Sequence, residues 1–174
     1  MPTNSIPEIP MSNLPVSVPK FQSAVFFVSD IEVSKRFYSD VLGQKITMDF
    51  NANVTFEGGL SIWRTDYALN IIFKDKARQV QVGANNAEIY FECNGIDAFF
   101  EQIKQKVKVV HPVEEHPWGQ RGFRVYDSDG HIVEFGEPMS ETVLRLHKQG
   151  LSLDEVAVKS MMSSEFIKAV LQAH

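Results

Sequence analysis

One cysteine, Cys93, among 174 residues leaves nothing to pair with in an internal disulfide. The chain is therefore expected to be a soluble protein held by its apolar core in a reducing compartment, the cytoplasm. Positive charge is also in deficit: 17 Lys and Arg face 22 Asp and Glu, a formal net charge of −5. A nucleic-acid binder needs a basic stripe to neutralise phosphates, so no nucleic-acid partner is expected. No apolar run approaches the roughly 20 residues of a membrane-spanning helix, so no membrane partner is expected either. A secretory leader is not expected, because residues 1–20 lack a charged start followed by an apolar block. They carry instead Pro2, Pro7, Pro10, Pro15 and Pro19, which bar a helix and favour an extended arm or a loose tail.

What the chain has in quantity is phenylalanine, 13 residues, enough for an aromatic core or an aromatic-walled pocket. Its arrangement suggests one pattern used twice. Ser23–Val28 reads as a strand. Ser29 and Glu32 have the spacing of a capping box, and Val33, Phe37 and Val41 mark a helical stripe that Gly43 ends. Three strands are then expected, at Asn53–Glu57, Leu60–Thr65 and Ala68–Phe73, with Gly58-Gly59 turning between the first two. After a polar linker over 74–86, Glu88–Cys93 reads as a strand and Ile96, Phe99, Phe100, Ile103 and Val107 as an amphipathic helix. A short strand, Val109–His111, is expected to end at Pro112, with a loop over Glu114–Gln120. Arg121–Tyr126 and His131–Gly136 follow, joined by the turn Asp127–Gly130. Ser23 and Glu88 lie 65 residues apart, and Asn70 and Glu134 lie 64 apart, an offset expected of an internal duplication. The expected class is α+β: two βαβββ modules, about 21–75 and 86–138, forming a curved mixed sheet around a cup.

Alternation along strands assigns the two faces. Phe26, Val28, Leu69, Ile71, Phe73, Ile89, Phe91, Phe123, Val125, Val133 and Phe135 should meet the helices. The opposite parity, with Ser23, Phe27, Trp63, Asn70, Glu88, Tyr90, Arg124, Tyr126 and Glu134, should line the cup. Aromatic surface with a few charged groups is the composition of a ligand pocket, although a solvated sheet face has the same alternation.

Val28-Ser29-Asp30 followed by Ser34, Phe37-Tyr38 and Val41-Leu42-Gly43 resembles the first-module signature of the vicinal-oxygen-chelate superfamily, which contains glyoxalase, bleomycin-resistance and dioxygenase-like proteins. Asp127–Phe135 is similar to its closing hairpin, and Pro117–Arg124 to the loop before it. The resemblance covers roughly 21–138. It implies paired modules and, in metal-dependent members, ligands on the first and last strands of each. Carried over, those positions are Ser23, Asn70, Glu88 and Glu134. Only Glu134 matches the usual pattern outright, and no imidazole joins it. Zinc, nickel and iron sites favour imidazole nitrogen, so the cofactor is expected to be none or an oxygen-liganded divalent metal ion held by Glu88 and Glu134.

Without a metal, Glu88 and Glu134 could form an acid–base pair, with Glu134 as the catalytic residue, or be neutralised by Arg124 in a structural ion pair. Trp118 is either a lid over a ligand or a packed loop residue. His111 and His116 are either at the pocket mouth or exposed. Cys93, on the helix-facing side, reads as an inert buried thiol. Residues 139–174 read as a helical appendage that packs on the domain or on a second copy, and its four basic groups are balanced by four acidic ones. The expected function is binding of a small organic ligand by a homodimer. The alternatives are a lyase, isomerase or dioxygenase, or a regulatory partner working through the C-terminal helices.

Overall fold

The computed structural model describes residues 19–74 and 80–174. The proline-rich segment as far as residue 18, and 75–79 of the linker, lie outside the described residues. Two four-stranded sheets share one plan. The first contains β1 (Ala24–Val28), β2 (Ile46–Asp49), β3 (Asn53–Phe56) and β4 (Leu60–Arg64) in the spatial order β1-β4-β3-β2. The second contains β5 (Glu88–Glu92), β6 (Lys108–Glu115), β7 (Arg121–Tyr126) and β8 (Ile132–Gly136) in the order β5-β8-β7-β6. In each, the first strand pairs in parallel with the last, and the other pairings are antiparallel. The helix between first and second strands supplies the crossover that a parallel pair needs. It is α1 (Ile31–Arg36) in the first module and α3 (Ile96–Ile103) in the second.

The duplication is thus visible in topology, but the first module differs from the expectation in three places. The helix is capped by Asp30, not Ser29: the Asp30 carboxylate accepts from Glu32 N and Val33 N at 2.9 and 3.1 Å. Its buried side is Ile31, Ser34, Phe37, Tyr38 and Leu42, while Val33 is exposed. The helix widens into a π turn over Phe37–Val41, where Leu42 N donates to Phe37 O. Third, Thr65–Phe73 is helix α2, not a strand, so Asn70 does not sit on the last strand and Ile71 is exposed. The last strand of the module is β4, and the strand missed is β2, an exposed edge with little alternation to betray it. Asp66 in the first turn of α2 suits the helix dipole, and Thr65 Oγ1 ties that end to Val28 O at 3.0 Å.

The helix-facing parity holds in the second module. Ile89, Phe123, Val125, Val133 and Phe135 are buried, with α3 contributing Ile96 and Ile103. They join Val28, Val54, Phe56 and Ile62 of the first module in a single core. The turn 127–131 also latches the modules. Asp127 accepts from Tyr38 Oη at 2.9 Å and meets His131 Nδ1 at 2.8 Å. Asp129 accepts from Ser29 N and Ser34 Oγ. Burial opposes ionisation of Asp127, but His131 and these hydrogen bonds outweigh it and hold the carboxyl below the usual range. Strand β6 runs through Pro112 to Glu115 rather than ending at His111. As the edge of its sheet, and with breaks in register around His111, it tolerates a missing N–H.

Three further helices follow: α4 (Met139–Lys148), α5 (Leu153–Ser160) and α6 (Ser164–Gln172). They enclose a separate core of Val143, Leu146, Val156, Ile167 and Val170.

Candidate functional site

Register assembles a polar row across the face of the second sheet that points away from its buried core side, the face expected to line the cup. His111 of β6 lies opposite Arg124 of β7, Arg124 opposite Glu134 of β8, and Glu134 opposite Tyr90 of β5. Glu88, two residues before Tyr90 on β5, points to the same side. Arg124 bridges the two carboxylates, with Nη2 2.9 Å from Glu134 Oε2 and Nε 3.0 Å from Glu88 Oε2. Its Nη1 reaches His111 Nε2 at 3.2 Å, and His111 Nδ1 lies 2.8 Å from Pro112 O. An arginine only donates, so His111 is assigned a proton on Nδ1 and an acceptor Nε2.

The loop 116–120 covers this row. His116 Nε2 is buried 3.3 Å from Glu134 Oε1, but the angles do not make a hydrogen bond, and the nitrogen has no other partner. The Trp118 ring stacks on His116 at 4.6 Å and 19°. The Trp118 indole donates to Gln120 Oε1 at 3.0 Å, and Gln120 Nε2 donates to Tyr90 Oη at 2.9 Å and Glu137 O at 2.8 Å. Glycines make this proximity possible. A Cβ at Gly136 would stand 2.7 Å from Tyr90 Oη, and one at Gly122 would stand 3.2 Å from His116 Nε2.

The two carboxyls are driven apart in acidity. Burial and the neighbouring Glu88 carboxyl push Glu134 above the ordinary range, against the pull of Arg124. Arg124 holds Glu88, which is more exposed, below it. The expected structural ion pair of Arg124 with one of these carboxyls is present, and it reaches both. Glu134 keeps its other oxygen, Oε1, toward His116.

Of the expected cup residues, Glu88, Tyr90, Arg124, Glu134 and Trp118 come together. Tyr126 is on the same face but pairs with Ile132 in the next row, under Lys108 at 5.0 Å. Phe27 and Trp63 face each other on the first sheet, ring centres 6.5 Å apart. The Trp63 indole N–H there is buried without a partner. Asn70 is corrected: it is exposed on α2. Ser23 is corrected too: it lies just before β1, which begins at Ala24. His116 and Gln120 belong to the site but had no strand pattern to signal them.

The four-residue oxygen set implied by resemblance is therefore not assembled. Among the described residues, no group of three His, Cys, Asp or Glu is placed to hold a metal ion. Glu88 and Glu134 each commit an oxygen to Arg124, so a divalent ion between them would face a fixed positive charge. The residues present do not fit a metal of the expected kind. A separate cavity of about 310 Å³ lies between β1 and residues 80–87, lined by Val25, Phe27, Val80, Val82 and His131. Phe26, Gln81, Asn85 and Asn86 also line it, and the Nδ1 of His131 is already engaged by Asp127.

A sequence profile for glyoxalase-like domains matches residues 21–140. Among curated proteins nothing matches. A solved protein of unknown function from Agrobacterium tumefaciens str. C58 is 41% identical, with 70% of this chain and 96% of that chain covered and a TM-score of 0.66. A glyoxalase/bleomycin resistance protein/dioxygenase from Nocardioides is 20% identical over 72% of this chain and 87% of its own, TM-score 0.57. A lactoylglutathione lyase from Agrobacterium tumefaciens is 17% identical over 72% and 96%, TM-score 0.54. At these last two identities the likeness is one of fold.

Proposed function

Because the chain belongs to the glyoxalase-like domain family, we propose that it binds a small, flat, polar organic molecule on the Glu134-bearing face of the second sheet, without a resident metal. The observation that carries this reading is the buried, unpartnered His116 Nε2 beside the Glu134 carboxyl, beneath the Trp118 plate. A buried polar nitrogen without a partner costs free energy unless something completes it. Arg124, Glu88 and Glu134 largely neutralise one another, which favours a neutral ligand over a fully charged one. Tyr90, His116 and Trp118 offer ring surface, and Tyr90 Oη and the Glu134 carboxyl offer hydrogen bonds. The test is equilibrium binding to a panel of small planar amides, phenols and lactones, using wild type and Glu134→Gln. A best ligand that binds the variant at least about tenfold more weakly fits the loss of one charge-assisted hydrogen bond. Equal affinity for both proteins would remove Glu134 from the site.

A second reading is favoured by the burial and the Glu88 carboxyl that push the Glu134 pKa above the ordinary range. A carboxyl that ionises late, next to an imidazole, can exchange a proton with a bound substrate, as an isomerase or lyase requires. Turnover that disappears in Glu134→Gln with little change in ligand affinity would select it.

Assembly as a homodimer forms part of the proposal. The first module leaves Val25, Tyr67, Ile71 and Ile72 exposed at 43%, 46%, 52% and 47%, an apolar surface suited to a second copy. Sedimentation of Ile71→Asp beside wild type tests it: a shift to the monomer mass is expected, and an unchanged mass would refute this surface as the contact.

A further inference from the structure

The helices α4–α6 lie almost wholly beyond the matched family region, which ends at residue 140, yet they grip the loop that carries His116 onto Glu134. Arg145 of α4 is at the centre of this contact. Its Nη1 donates to Glu115 Oε2 at 3.0 Å, its Nε to Glu137 Oε1 at 3.2 Å, and its Nη2 to the same oxygen and to the Gly119 carbonyl. Lys159 of α5 donates to Glu115 Oε1 at 2.6 Å. Glu137 is almost fully buried and also accepts from Arg121 N at 3.1 Å and Thr142 Oγ1 at 3.0 Å. Apolar contact completes the grip: a Cβ at Gly119 would stand 3.1 Å from Leu146 Cδ1 and 3.3 Å from Lys159 Cε. Gly119 has φ +82°, a conformation that an L side chain resists. The loop thus has Trp118 and His116 on its site side and the appendage on its back.

We propose that the three C-terminal helices are a clamp that holds the His116–Gln120 loop down on Glu134 and sets how readily a small molecule enters. Arg145 is the positioning residue. Its fork reaches a backbone carbonyl and two carboxylates on separate segments at once, which a point charge cannot do. The consequence for ligand entry rests on the function proposed above, but the clamp itself is tested without any ligand.

The experiment compares full-length wild type, Arg145→Ala, Arg145→Lys and Lys159→Met. It measures amide hydrogen exchange and the rate at which diethyl pyrocarbonate modifies each histidine, mapped by mass spectrometry. In Arg145→Ala the amides of His116, Gly119 and Arg121 should exchange about tenfold faster or more, since their protection comes from local closure. His116, whose Nε2 is buried, should be modified several-fold faster, with His131 unchanged. Arg145→Lys should fall between, and Lys159→Met should produce a smaller change at the same amides with α4–α6 still protected. Unchanged exchange and His116 reactivity in Arg145→Ala would overturn the clamp. So would loosening that appears only together with loss of protection throughout α4–α6 and both sheets. So would a Lys159→Met protein whose loop exchanges at the wild-type rate. If the clamp holds and the ligand panel finds nothing, the functional reading fails while the clamp stands.

Discussion

The two modules use the same strand order and opposite chemistry. On the second sheet the polar row is His111, Arg124, Glu134 and Tyr90. On the first, the facing rows are Val25, Ser61 and Thr55, and Phe27, Trp63 and Asn53. The Thr55 and Ser61 hydroxyls satisfy each other at 2.9 Å and the unpartnered group there is the neutral Trp63 indole N–H, whereas Glu134 brings a carboxyl oxygen to the unpartnered His116 Nε2. Duplication therefore preserves the helix-facing core, where shape is demanding, and leaves the opposite face free to diverge. One copy becomes an uncharged face of aromatic, hydroxyl and amide groups and the other a charged site.

The comparison can be broken first at what the modules share. Ile62→Ala on the first sheet and Val133→Ala on the second both empty fully buried positions of a single core. The isoleucine change should cost about 2–5 kcal/mol and the smaller valine change less. Denaturant unfolding should show one transition in both; separate transitions would mean that the modules do not share a core. Tyr38→Phe cuts the latch, removing a buried donor to Asp127 while His131 remains on that carboxylate. A loss of about 1.5–3 kcal/mol is expected for a hydrogen bond to a charged group, and no loss would show the latch to be incidental.

The next prediction sharpens the difference in acidity. Carboxyl-carbon NMR should find Glu134 titrating above, and Glu88 below, the ordinary glutamate range. The signs carry through to stability. The raised Glu134 favours the fold at low pH, and that contribution is lost as pH rises through its raised value. The lowered Glu88 contributes above the ordinary range and loses its contribution as pH falls through its lowered value. Glu134→Gln should remove the first dependence and also alter the second, because Glu134 is among the groups that hold Glu88 low. Gly136→Ala should have the smallest effect on stability, because the atoms in its way are the ends of Tyr90 and Gln120. Ligand affinity should nonetheless fall, as those two groups are pushed out of place. An equal effect on affinity from Ser61→Ala on the first sheet would erase the distinction between the faces.

Much of the fold was legible where periodicity and burial agree. Phe123, Val125, Val133 and Phe135 alternate without interruption, and α3 shows its apolar face at helical spacing. Legibility failed in Ala68–Phe73, a short apolar run that suits strand and helix equally; there only tertiary placement, with Ala68 fully buried, decides. Misreading it moved Asn70 into the site and left the offset between Asn70 and Glu134 without structural meaning. Of the site, Glu88, Tyr90, Arg124 and Glu134 were legible because strand parity puts them on one face. His116 was read only as a loop residue at the pocket mouth or exposed, and Gln120 was not singled out, because a loop has no period, and their positions depend on Gly122, Gly136 and the grip of Arg145 from outside the matched domain.

The most direct test is backbone and side-chain NMR of the full chain during titration with the tightest binder from the planar panel. Shift changes centred on Tyr90, His116, Trp118 and Arg124, and absent when Glu134→Gln is titrated in the same way, are the expected result. Changes centred instead on Val25, Phe27 and Val80, at the cavity beside β1, and indifferent to Glu134→Gln, would contradict the assignment of binding to the second sheet.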